Sequence, residues 1–239
     1  MFRHTSFKNA IPLEVCAYIK EFFDTHQELH VNKPNNPNVT KINSPWSHLG
    51  HVLEPILNRY FKTVNGQGGN IYKHKNLYTI HVDSEEPYQM INCLIPVYVT
   101  SNEEDQHFIV FDQWVENGFG QTWYGDRPKL QGETDFDRNK KIWMTPFNDD
   151  RVYDKTKEDI DASFYQSYLE FDDHKPTYFK GLTGKAYAYR PGDLILFNSN
   201  QLHCTGRLVG PWKMGVLINF EGRLDNLLIN KASIPLENI

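Results

Sequence analysis

The stretch Leu77-Tyr78-Thr79-Ile80-His81-Val82-Asp83 decides how this chain is read. Its β-branched and aromatic residues favour a strand. On a strand, side chains two positions apart leave the same face, so His81 and Asp83 would bring an imidazole and a carboxylate to one point.

The surrounding sequence agrees with a sheet protein. Ile71–Tyr72, Tyr88–Thr100 and Phe108–Trp114 carry the same strand signature, and it resumes at Ala186–Tyr189, Asp193–Asn198 and Met214–Phe220. Arg190-Pro191-Gly192 and Gly210-Pro211 supply the turns between the later strands. Upstream the period changes. Leu13, Ala17, Ile19, Phe22 and Phe23 recur at helical spacing across Ile11–Phe23. A second helix is expected after Ser44-Pro45, a capping residue and a first-turn proline, with Leu49, Val52, Leu53, Ile56, Leu57, Tyr60 and Phe61 as its apolar stripe. Gly66, Gly68 and Gly69 are read as its end. Residues 116–175 are polar and acidic with scattered aromatics, and one helix is expected near Lys157–Leu169.

These elements predict a mainly β fold, a jelly-roll or double-stranded β-helix, with N-terminal helices packed on one face and a long polar insertion. We read 1–239 as a single domain. Residues 1–69 give helical support, 70–115 and 176–222 give the barrel strands, and 116–175 form an insertion that is expected to act as a lid or wall over the site.

Composition narrows the function classes. The chain has 239 residues, of which 39% are hydrophobic and 14% aromatic, which excludes a disordered chain. A formal charge of −5 and the lack of a Lys/Arg block argue against a nucleic-acid partner. Three scattered cysteines (Cys16, Cys93 and Cys204) fit a reducing compartment rather than a disulfide framework. No long apolar run is present for a membrane span or a signal peptide, so a cytoplasmic location is expected.

A second histidine completes the chemistry. His203 closes the run Arg190-Pro-Gly-Asp-Leu-Ile-Leu-Phe-Asn-Ser-Asn-Gln-Leu-His203, in which a turn launches a strongly apolar strand. Two histidines and one carboxylate on one side of a metal form the facial triad of non-haem Fe(II) oxygenases and leave positions open for co-substrate and O2. The other notable residues read as structural. His48 and His51 flank the helix stripe without a nearby acid, His107 follows an acidic hairpin tip, and Cys204 points away from the metal. Asn200, Gln201 and Arg207 fit groups that orient His203, or turn polarity.

In this order of motifs, an HxD at a strand end, a PGD-led apolar strand and a histidine just beyond it, the chain resembles the 2-oxoglutarate/Fe(II)-dependent oxygenase superfamily. It is nearest in style to the prolyl-hydroxylase-like and phytanoyl-hydroxylase-like branches, over roughly residues 70 to 222. The resemblance implies Fe(II) bound by His81, Asp83 and His203, with 2-oxoglutarate as co-substrate and O2 as oxidant. It further implies decarboxylation to succinate and hydroxylation of a C–H bond. Halogenating relatives replace the acid by a small residue, so Asp83 favours hydroxylation or a related oxidation. A basic residue about ten positions past the distal histidine holds the far carboxylate in that family. Here this is Lys213, whose ammonium is expected inside the barrel among Val216 and Ile218, with Arg207 as its rival. Many relatives carry a hydroxyl residue two positions later, where this chain has Gly215.

Further co-substrate contacts follow from strand alternation, which puts Met90, Asn92, Leu94 and Tyr98 on one face. Asn92 and Tyr98 are therefore expected in the pocket, with Tyr78 a weaker choice. The expected substrate is a small molecule or an amino-acid or peptidyl side chain. Two rival readings are a cupin-like metalloenzyme without 2-oxoglutarate, against which HxD stands in place of HxH, and a non-enzymatic jelly-roll binding module.

Overall fold

The computed structural model describes residues 4–33, 36–62, 64, 66–75, 81–83, 90–100, 106–114, 160–170, 182–206 and 209–221. In chain order the elements are β1 (His4–Phe7), α1 (Leu13–Thr25), β2 (Val31–Lys33), β3 (Asn36–Asn43), α2 (Pro45–Leu57), β4 (Gly66–His74), β5 (Met90–Val99), β6 (His107–Trp114), α3 (Ala162–Tyr168), β7 (Gly184–Ala188), β8 (Leu194–Asn198), β9 (Gln201–Thr205) and β10 (Lys213–Glu221).

The strands form two antiparallel sheets. The larger has the order β1-β8-β5-β10-β4-β3-β2 and the smaller β7-β6-β9. His81 makes an antiparallel bridge to His203 on β9, which adds the HxD segment to the free side of the small sheet. From β4 onward the chain crosses repeatedly between the two sheets: β4, β5, β8 and β10 in one, the His81 segment, β6, β7 and β9 in the other. This is the double-stranded β-helix expected from the sequence.

Two hydrophobic layers cover the faces of the large sheet. On the outer face of the large sheet, Ile19 and Phe23 of α1 and Leu49, Leu53 and Leu57 of α2 pack on Ile91, Cys93, Ile95, Met214, Val216, Ile218 and Phe220. Between the sheets lie Leu94, Val99, Phe108, Val110, Tyr187, Tyr189, Ile195 and Phe197. Strand β5 is covered on both sides and therefore reads as a continuous apolar run, with Asn92 its buried polar exception.

Local chemistry fixes the joints. Gly192 in the Arg190-Pro191-Gly192 turn has φ +90°, and its carbonyl accepts from the Ile11 amide at 2.8 Å. Asp193 beside it accepts from the Asn9 amide at 2.9 Å, which pins the N-terminal segment to the barrel. His4 on β1 ties the two sheets at their other margin. Its Nε2 lies 3.3 Å from the Asp112 carboxylate, which only accepts, so Nδ1 is left to accept from the Tyr187 hydroxyl.

Several expectations are corrected. Gly66, Gly68 and Gly69 do not end α2, which stops at Leu57; they open β4. Gly69 has φ +102° and lies against the Leu217 carbonyl, where a side chain would overlap backbone, and a register shift between Asn219 and Phe220 leaves an extra residue between Gly66 and Gly68. Strands β1, β2, β3 and β9 go beyond the sequence reading. The described part of the insertion, 160–170, lies on the outer face of the small sheet, where Leu169 and Phe164 pack on Ile109, Phe111 and Leu202. That piece braces the back of the sheet. The rest of the insertion lies outside the described residues, as do Tyr78 and Arg207.

Candidate metal centre

Backbone pairing brings the three donor residues together. The amides and carbonyls of His81 and His203 bond each other reciprocally at 3.0 Å, so the two side chains leave a closely paired position, with ring centroids 4.3 Å apart. The Asp83 amide donates to Ser199 O at 2.9 Å, which fixes the end of the HxD segment on the β8–β9 turn. Val82 points the other way and packs on the outer layer of the small sheet. The alternation is therefore the one the sequence implies.

The donor atoms of His81, Asp83 and His203 all lie within 4.8 Å of one another. Nε2 of His81 is 3.5 Å from Oδ1 of Asp83, and Nε2 of His203 is 3.4 Å from Oδ2. Donors about 2.0–2.2 Å from a shared ion stand about 3 Å or slightly more apart, so this cluster could hold a metal with little adjustment. Among the described residues it is the one such group of three.

The surroundings prepare each donor. Nδ1 of His203 lies 2.8 Å from the Gln201 carbonyl, which only accepts, so this nitrogen carries a proton and Nε2 is the one turned toward Asp83 and available to a metal. Gln201 is itself fixed, its side chain donating to Phe111 O at 2.9 Å and accepting from the Asn198 amide at 3.2 Å. Phe197 and Phe108 flank the His203 ring, with centroids at 4.7 and 5.6 Å. Burial pushes the Asp83 carboxyl up, but the His203 and His81 rings more than offset this and hold it well below the usual carboxylate range.

A second polar group lies between the sheets. Lys213 opens β10 and is 1% exposed, and its Nζ has no hydrogen-bond partner among the described residues. The ammonium stands 4.4 Å from the centroid of the Tyr189 ring. Burial pushes its pKa down to about 7. Tyr189 donates to or accepts from the Tyr72 hydroxyl at 3.0 Å, and a Cβ on Gly215 would run into both hydroxyls. Tyr189 belongs to the same inter-sheet layer as Phe108 and Phe197, so this cation and the histidine cluster share their apolar walls. A buried cation without a counter-charge is costly, and the arrangement suits an anion.

The sequence placed Lys213 among Val216 and Ile218. Those residues face the helices, and Lys213 instead shares its face with Gly215 and Leu217. Tyr98 is likewise displaced from its expected face. A register shift opposite Met214 and Gly215 inserts an extra residue at Pro96–Tyr98 and turns the Tyr98 ring outward. There it stacks on Trp212 with centroids 4.8 Å apart, below the Lys20 ammonium. Asn92 does face inward, but its amide donates to Asp83 Oδ2 at 2.6 Å, beside the histidines. Asn219, Tyr72 and Tyr189 were not among the expected site residues. Counting alternate positions back from Asn219 to Lys213 would have found the first; the tyrosines needed the sheet pairing.

No family model matches this chain, and no curated protein matches it in sequence. Solved structures of similar shape do exist. HygX from Streptomyces hygroscopicus, with nickel and 2-oxoglutarate bound, is 11% identical over 92% of this chain and 82% of its own, at a TM-score of 0.45. The non-heme alpha-ketoglutarate-dependent carbocyclase SnoK from nogalamycin biosynthesis is 10% identical over 92% and 79%, at 0.49. A prolyl-4-hydroxylase from Pseudomonas putida is 9% identical over 92% of both chains, at 0.43. Likeness at this level carries no residue's role from one chain to another. Fold and side chains together define a jelly-roll with a two-histidine, one-carboxylate cluster between its sheets.

Proposed function

We propose that this chain is an Fe(II)- and 2-oxoglutarate-dependent dioxygenase that hydroxylates a C–H bond of a small-molecule or amino-acid or peptidyl substrate. The observation that carries the reading is the convergence of His81, Asp83 and His203 on one point at the paired strands of a double-stranded β-helix. Iron held there would supply O2 activation coupled to decarboxylation of the 2-oxo acid.

The chain's own residues provide the rest. His203 and His81 present neutral-nitrogen donors and Asp83 an anionic oxygen, so three protein ligands leave the remaining positions open. Lys213 offers a buried cation to the far carboxylate of a dicarboxylate co-substrate, and the Tyr72 and Tyr189 hydroxyls stand beside it. Phe108 and Phe197 keep the His203 side of the site dry.

The test is anaerobic titration with Fe(II) and 2-oxoglutarate, followed by admission of O2 and assay of succinate. Metal-dependent binding of 2-oxoglutarate and slow succinate formation without added substrate are expected. Metal binding with no effect of 2-oxoglutarate would favour the cupin-like reading. No metal binding at all would leave a non-enzymatic jelly-roll.

A further inference from the structure

We infer that Asn92, braced by Asn219, is a positioning residue that holds one oxygen of the Asp83 carboxylate and so leaves the other for the metal. This rests on the metal centre proposed above and concerns how its acid is aimed.

The polarity of the chain of side chains follows from donor and acceptor chemistry alone. Asp83 Oδ2 accepts from the Asn92 NH2 at 2.6 Å. That turns Asn92 Oδ1 toward β10, where Asn219 Nδ2 donates to it at 3.3 Å. Asn92 and Asn219 are direct partners in the β5–β10 ladder, so the contact is set by strand register. Asn219 is then left with Oδ1 buried beside Gly69 and without a partner among the described residues. One unsatisfied oxygen is tolerated at the far end of the relay while every bond nearer the acid is made.

Burial makes the arrangement rigid. Asn92 is fully buried on a strand covered on both faces, and its β8 neighbour in register is Phe197, which packs on His203. The Asp83 backbone is anchored separately through Ser199. What Asn92 adds is control of the carboxylate's rotation. The oxygen it grips is Oδ2, while Oδ1 lies 3.5 Å from His81 Nε2. A metal that takes a single Asp83 oxygen keeps one more position open than a metal that takes both. Partners of this kind change metal affinity by about 10–100-fold when removed.

The experiment is titration of the full chain with Co(II) alone, following both affinity and the visible ligand-field spectrum. The proteins compared are the parent, Asn92→Leu, Asn219→Leu and the double variant, with melting temperatures measured alongside. Asn92→Leu should weaken Co(II) binding about 10–100-fold and alter the spectrum. Asn219→Leu should do so to a smaller degree, and should add nothing in the Asn92→Leu background, because it acts only through Asn92. Lower melting temperatures with unchanged Co(II) affinity and spectrum would overturn the inference, as would additive effects. If Asn92→Leu fails to fold, Asn219→Leu decides alone, and an unchanged spectrum and affinity there sink it. A parent chain that binds no Co(II) would instead remove the metal-centre reading on which the inference stands.

Discussion

The hydroxyl of Tyr189 stands in the space that a side chain on Gly215 would need, and the Tyr72 hydroxyl closes the same space from β4. Gly215→Ser should therefore harm the protein even though it supplies a hydroxyl near Lys213. The Tyr189 ring is fully buried and its neighbours are close-packed, so it cannot step aside cheaply. Overpacking of this kind costs about 1–3 kcal/mol, which thermal or urea unfolding would read, together with weaker 2-oxoglutarate binding. Gly215→Ser with unchanged stability would show that the two tyrosines yield easily.

Lys213 should make stability depend on pH. Its folded pKa, about 7, lies below its ordinary value of 10.5, so between these limits the unfolded chain binds more protons. Stability then rises with pH from about 7 to 10.5, and the penalty of the buried ammonium is fully present below 7. Lys213→Met should remove this slope and stabilise the ligand-free protein at pH 6, while abolishing stabilisation by 2-oxoglutarate. Parallel melting curves of the two proteins from pH 6 to 10 would contradict the assignment.

Metal should stabilise the parent and not its ligand variants. Mn(II) at about 100 times its dissociation constant adds about 2.7 kcal/mol to a protein that binds it only when folded. We expect a clear rise in melting temperature with Mn(II) for the parent and little or none for His203→Ala, His81→Ala or Asp83→Ala. An equal rise in all four would place the metal elsewhere.

Tyr98→Ala should separate packing from co-substrate binding. The ring stacks on Trp212 on the helix side of the sheet, so its loss should cost about 0.5–3 kcal/mol of stability. The 2-oxoglutarate dissociation constant should stay unchanged. A large rise in that constant would return Tyr98 to the pocket.

What was legible in the sequence was whatever depends on short-range periodicity. The i, i+2 spacing of His81 and Asp83 fixes a shared face on any regular strand, and Val82 on the opposite layer shows that alternation at work. The helix stripe in α2 and the turn at Gly192 are equally local, whereas in α1 only Ile19 and Phe23 of the expected stripe are buried and Leu13 is 64% exposed. Once alternation broke, sequence reasoning failed. The irregularity near Pro96 turned Tyr98 outward, and nothing local to residues 88–100 announces an extra residue in the ladder, because a bulge is defined by the partner strand.

The remaining decisions belong to tertiary structure because they join residues far apart in the chain. His203 meets Asp83 only through the pairing of β9 with the His81 segment. Asn92 meets Asn219 only through the register of β5 on β10, and the Tyr72 and Tyr189 hydroxyls meet over Gly215 only because two sheets face each other. Residue types and periods determined which side chains were available and which way each strand presents them. Sheet pairing and burial decided which of them share a point, and at such a point desolvation and fixed distance give the carboxylate and the ammonium their unusual proton affinities.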